Sequence, residues 1–121
     1  MSHLICELYG DVLVATFAGP IDRKTSPALG DELLESVAPA EHVVCDLTNV
    51  PYISSTGYRL LLHAYHEISA KRGRAALVGA SDEIRDTMIA TGFRDFFLMS
   101  NSLDEALEQV CQESVGHSSL R

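Results

Sequence analysis

Three consecutive hydroxyls, Ser54, Ser55 and Thr56, stand just before Gly57 and an apolar run that includes Leu60, Leu61 and Leu62. Upstream, a short apolar stretch ends in the carboxylate of Asp46, followed by Thr48 and a connection through Pro51. This is the pattern of a buried strand, a loop and the start of a helix. In α/β sheets the loops beyond the carboxyl ends of strands are the usual functional locations. A helix N-terminus offers unpaired N–H groups and a positive dipole end. A hydroxyl there can face an anion, or be phosphorylated, without destabilising its own helix. Ser or Thr ahead of a helix is normally an N-cap. One hydroxyl is enough for that, and three in a row invite a second explanation.

Enzyme signatures fail at this segment. A nucleophile elbow needs Gly two residues before the Ser, where this chain has Ile53 or Tyr52. No phosphate-binding G-x-x-x-x-G-K-[ST] loop and no G-x-G-x-x-G string occurs. A hydrolase built on Ser55 would need a His with an orienting carboxylate, and His42, His63 and His66 show no such arrangement. His63, His66 and Glu67 have permissive spacing for a metal but no evident further ligand, so no metal or cofactor is expected. Asp22, after Gly19-Pro20, reads by itself as a turn residue. Cys6, Cys45 and Cys111 are odd in number, far apart and set among apolar residues. They read as small buried residues in a reducing compartment.

The elements that must hold this segment follow from punctuation and period. Residues 4–8 and 12–18 read as strands joined at Tyr9-Gly10-Asp11, a hairpin. Ser26 is the expected N-cap of a helix opened by Pro27 and carrying Leu29, Leu33 and Val37. A buried strand is expected over 42–47 and a helix from about Thr56 to Arg72. In that helix Lys71 and Arg72 would meet the C-terminal dipole, with Gly73 as C′ residue. Residues 75–78 form a third buried strand. Ser81 caps a helix that ends at Gly92, and residues 96–99 read as a last strand. Ser102 and Glu105 form a capping box ahead of a helix with Leu103, Ala106, Leu107, Val110 and Cys111 inward. The order is β-β-α-β-α-β-α-β-α, which implies an α/β fold with a mixed sheet, a hairpin edge joined to a parallel set, and helices covering it. Residues 1–113 read as one domain and 114–121 as a flexible polar tail.

The overall numbers agree. The chain has 121 residues, one domain's worth, with 46% hydrophobic and 21% charged residues. Nine Lys and Arg against seventeen Asp and Glu give a net charge of −8. That balance argues against nucleic acid or an anionic membrane surface as primary partner. No stretch has the length of a membrane span and the N-terminus does not read as a signal peptide, so a cytoplasmic protein is expected.

The string VVCDLTNVPYISSTGYRLLLHAY resembles the signature of the STAS-domain anti-sigma-factor antagonists. In that signature a strand ends in Asp-Leu-Ser/Thr, and a loop leads to Asp-Ser-Ser/Thr-Gly and an apolar helix. G-P-I-D-R, L-V-G-A, T-G-F and S-L-D-E-A-L resemble further pieces of the family, in the right order. The resemblance implies a STAS-like single domain and a binding module, not a catalyst. Such proteins switch partners. The unphosphorylated form binds a GHKL-type serine kinase that is also an anti-sigma factor. Phosphorylation releases the antagonist, and a PP2C-like phosphatase resets it. By position the acceptor matches Ser55. Asp22, Asp46, Thr48, Thr56 and Gly57 match partner-facing positions. Where the family usually has Asp before the acceptor, this chain has Ser54, which is thereby a rival acceptor and a partner-facing position of its own. That departure also leaves room for a STAS subunit of another assembly without a sigma factor, such as a stress-signalling complex, a secretion regulator or a lipid-transport accessory.

Overall fold

A computed structural model describes residues 3–119, with side-chain surroundings for residues 3–111. Strands β1 (Leu4–Tyr9) and β2 (Val12–Ala18) form the expected hairpin across Gly10 and Asp11. Gly10 sits at φ +63°, open to glycine at little cost. Then follow α1 (Ser26–Val37), β3 (His42–Asn49), α2 (Ser55–Ser69), β4 (Ala75–Val78), α3 (Asp82–Thr91), β5 (Leu98–Ser100) and α4 (Leu103–Ser119). The sheet order is β1-β2-β3-β4-β5, with β1 antiparallel to β2 and all later pairs parallel.

Because successive parallel strands lie side by side, right-handed crossovers put their three helices on one face. Leu29, Leu33, Leu61, Ile68, Ile84 and Met88 from α1–α3 close a core over Leu13, Phe17, Val43, Cys45 and Leu77. The other face is packed by α4, whose Ala106 and Val110 meet Val12, Val14, Val44, Ala76 and Val78. Covered on both sides, β3 and β4 read as continuous apolar runs rather than alternating ones. Among the described residues no helix is long and apolar enough to cross a membrane.

The structure shifts several local expectations. The N-cap of α1 is Thr25, and Ser26 is its first residue, buried with an unpartnered hydroxyl. The α2 helix starts one residue early, at Ser55, and stops at Ser69. Lys71 therefore lies beyond its own helix. Its ammonium group instead donates to the carbonyls of Val37 at 2.9 Å and Ala38 at 2.8 Å, and to Ala40, closing the end of α1. Arg72, not Gly73, takes the left-handed conformation, φ +64°. Gly73 is needed for space, since a Cβ there would collide with the Glu41 carbonyl. Before β5 the chain makes a 3-10 turn, Phe93–Phe96, where a strand beginning at 96 was expected. The aromatic rings decide this: Phe93 packs edge-on against Tyr58 at 5.3 Å and Phe97 lies 5.6 Å from Tyr65. Cys45 is buried as expected and its thiol is pushed up to about 12 by burial, but Cys6 is half-buried and Cys111 is exposed. The α4 helix runs past Glu113, into the segment read as a polar tail, while residues 120 and 121 lie outside the described residues.

One buried polar group ties stability to pH. His42 is 6% exposed, and its Nδ1 accepts the Arg74 backbone N–H at 2.9 Å. Protonation at Nδ1 would destroy that bond. Burial lowers the imidazole pKa, outweighing the opposite pull of Glu41 and Asp11. A lowered folded-state pKa means that the unfolded chain takes the proton first. The contribution of His42 is therefore complete above the unfolded value of about 6.5 and is lost as pH falls below it. Melting temperatures between pH 8 and pH 5 should fall more steeply for the natural protein than for His42→Gln, whose side-chain carbonyl can still accept the Arg74 N–H.

Candidate functional site

The candidate residues converge at the carboxyl ends of β2, β3 and β4. After β2, Gly19 donates to the Asn49 carbonyl at 2.9 Å, which aligns the two outgoing loops. Farther out the loops are laced together. The Ile21 N–H donates to the Tyr52 carbonyl at 3.0 Å, and the Ser54 N–H donates to the Ile21 carbonyl at 2.9 Å. Ile21 and Ile53 form a parallel bridge there, and both side chains are buried. This brings the Asp22 turn beside the start of α2, from a separate part of the chain. Gly57 seals the junction, because a Cβ would meet the Ile21 carbonyl, Ile53 Cγ2 at 2.8 Å and Ile21 Cγ2 at 2.9 Å.

The three hydroxyls have different surroundings. Ser54 has extended backbone and is the N-cap of α2; its Oγ accepts the Gly57 N–H at 3.2 Å. Ser55 is the first helical residue, exposed, and its hydroxyl has no hydrogen-bond partner among the described residues. Thr56 is half-buried and turns toward a groove between α1 and α2. A cap of this kind contributes about 1 kcal/mol. Ser54→Ala should lower the melting temperature by roughly 4 °C, while Ser55→Ala should leave it nearly unchanged; thermal unfolding of both variants checks this.

The carboxylates are held by their own loops. Asp22 Oδ1 accepts the backbone N–H groups of Lys24 and Thr25, each at 3.0 Å, and the Thr25 hydroxyl at 3.3 Å. The Thr25 backbone hydrogen bond chiefly keeps this carboxyl below its ordinary pKa. Asp22 is thus charged and shaped into a turn, with Oδ1 alone taking these bonds. Asp46 Oδ1 accepts the Thr48 hydroxyl at 2.6 Å and the Thr48 N–H at 3.0 Å. Thr48 is in turn backed by Gly79, at φ +75°, where any Cβ would strike Thr48. The loop after β4 is thereby the third wall of the site.

Three contributors were missed in the sequence. Ile21 and Ile53 carry no local signal of this role, because their lacing depends on a pairing between distant segments. Tyr52 carries a large ring that is 57% exposed, two residues before the N-cap of α2. An aromatic residue between Pro51 and a hydroxyl run is a visible signal, since exposed aromatics are favoured anchors of interfaces. Among the described residues no cluster of three or more His, Cys, Asp or Glu side chains is placed to hold an ion.

Comparison with known proteins identifies the family of this fold. The profile of the STAS domain family matches residues 4–106. The chain is 33% identical over 86 residues to the anti-sigma-B factor antagonist of Listeria monocytogenes, covering 69% of this chain and 75% of that protein. An anti-sigma factor antagonist from Mycobacterium paratuberculosis superposes with a TM-score of 0.78 at 28% identity, over 88% of this chain and 92% of that one. An anti-sigma-factor antagonist domain protein from Planctomyces limnophilus shares the fold with a TM-score of 0.83 at 19% identity, over 91% and 98% of the two chains. With the profile spanning all five strands and the hydroxyl-rich start of α2 in its place after β3, the chain belongs to the STAS domain family.

Proposed function

We propose that this chain is an anti-sigma factor antagonist that works by partner switching. Unphosphorylated, it binds a GHKL-type serine kinase that doubles as an anti-sigma factor, and so frees the sigma factor. The kinase phosphorylates Ser55 and loses its hold, and a PP2C-like phosphatase restores the hydroxyl. The relatives named above support the antagonist role. One observation carries the choice of site: capping is assigned to Ser54, which leaves Ser55 exposed and unpartnered on the first turn of α2. A phosphate there adds about −1.5 to −2 charge at a positive helix end, which the fold tolerates. The docking face consists of Ser55 with Ser54 and Thr56, flanked by Asp22, Asp46 and Thr48, while Gly57, matched to the partner-facing set by the resemblance, is buried beneath it and holds it in place. Its role is binding rather than catalysis, and no His reaches the Ser55 hydroxyl among the described residues.

The test is to recover the tagged protein from its native cells, identify what co-purifies, then add ATP and map phosphate by mass spectrometry. A serine kinase in the eluate and phosphate on Ser55 are expected. Phosphate on Ser54 instead would move the acceptor and require α2 to give up its cap. Recovery in an assembly with neither kinase nor phosphate would favour the other reading, a STAS subunit without a sigma factor, which the Ser54 substitution of the family's usual Asp supports.

A further inference from the structure

The groove between α1 and α2 shares only Thr56 with the docking face proposed above. It is shallow and open to solvent, with about 590 Å³ of space between Pro27, Gly30 and Leu34 on one side and Leu60, Leu62 and His63 on the other. That volume lies within the roughly 300–1,000 Å³ of small-molecule sites, and a mainly apolar wall with a few polar groups is their usual make-up. Gly30 leaves the α1 wall bare at the contact with Leu60, where a Cβ would come within 3.0 Å of Leu60 Cδ1.

Two features beyond shape point to a ligand. Ser26 lies in the wall, is only 7% exposed, and carries a hydroxyl that no protein group satisfies. Buried hydroxyls are normally hydrogen-bonded. The second feature is charge. Arg59, His63 and His66 follow one another at i, i+4 and i+7 along the groove's edge, in a chain of net charge −8. Arg59 has no ion-pair partner among the described residues. Asp31 stands on the opposite wall, so the site favours a single negative charge over a dianion.

We propose that the α1–α2 groove binds a monocarboxylate with an apolar tail. Its carboxylate lies against Arg59 and His63, and its tail lies along Leu34, Leu60 and Leu62. This site needs no kinase and no phosphate, so its test is independent of the partner-switching reading.

The probe is octanoate, titrated into the full chain and followed by two-dimensional amide NMR and by the ring protons of His63 and His66. A saturable one-to-one response confined to α1 and α2 is expected, with a dissociation constant on the order of 0.1–1 mM for a ligand of this size. Arg59→Gln, at an exposed position, should keep the fold and weaken binding roughly tenfold, the value of one charge-assisted contact. Leu34→Trp should fill the groove and abolish the response; if that variant fails to fold, Arg59→Gln alone decides. Equal binding of octyltrimethylammonium would overturn the charge assignment. Shifts that do not saturate, or that scatter over the surface, would overturn the site. So would a groove that responds to a co-purified protein partner but never to octanoate.

Discussion

Ser55→Asp should fold as the natural protein does and lose its partner. An acidic residue in the first turn of a helix is favourable by about 0.3–1 kcal/mol, so the melting temperature should hold or rise slightly. The docking surface changes in the opposite sense. A kinase face that packs against a neutral hydroxyl would have to desolvate a carboxylate with no partner, a penalty of roughly 3 kcal/mol, which is over a hundredfold in affinity. Ser55→Ala is the matching control: it should bind the kinase and never take up phosphate. Tyr52→Ala should also weaken binding, by about tenfold or more, because it removes an exposed aromatic ring beside the docking face. Titration calorimetry with the co-purified kinase measures all three. Normal binding by Ser55→Asp, with the fold intact, would remove the switch from this position.

Gly57→Ala should damage both the fold and the site. In an ordinary helix this change stabilises by about 1 kcal/mol, because Ala is the better helix former. Here the new methyl meets the Ile21 backbone carbonyl and the Cγ2 atoms of Ile53 and Ile21. Backbone cannot move aside as a side chain can. Overpacking of this kind costs about 1–3 kcal/mol, and displacing Ile21 also breaks its bond with the Ser54 N–H, worth about 1 kcal/mol more. The steric terms win, and a net loss of roughly 2–3 kcal/mol is expected, about 10 °C in melting temperature. Gly30→Ala is the informative contrast, also within a helix. Its Cβ would meet only Leu60 Cδ1, the far end of a flexible side chain, at 3.0 Å. That variant should be close to neutral. If Gly57→Ala proved equally mild by thermal unfolding, the lacing of the two loops would not be holding the site.

Much of this protein is legible from local rules. The strand and helix order, the hairpin at Gly10, the Ser81 cap that accepts the Ile84 N–H and the left-handed stop at Gly92 all follow from residue types and spacing. So does the site segment, because a buried strand, a loop and a hydroxyl-rich helix start are contiguous in sequence. Ser102 also caps α4 as expected, although the Glu105 carboxylate reaches the N–H of Asn101 rather than that of Ser102. Each of these features depends on neighbours within about four residues, which is the range over which capping and helical periodicity act.

The remainder was decided where distant segments meet. Nothing near residues 54–56 says which hydroxyl caps α2. That depends on where the helix begins, and the Ile21 carbonyl sets this by holding the Ser54 N–H. Lys71 looked like the end of its own helix and instead serves α1, because the fold brings the carbonyls of Val37, Ala38 and Ala40 within reach of its ammonium group. Gly73 looked like a helix stop and is a packing glycine against Glu41. Phe96 looked like strand and lies in a turn, where its ring packs 5.2 Å from Tyr65 of α2 and Phe93 packs against Tyr58. Sequence patterns report the period of a segment and the chemistry at its ends. Which surfaces then touch depends on how the crossovers stack the helices on the sheet, and only the folded chain contains that information.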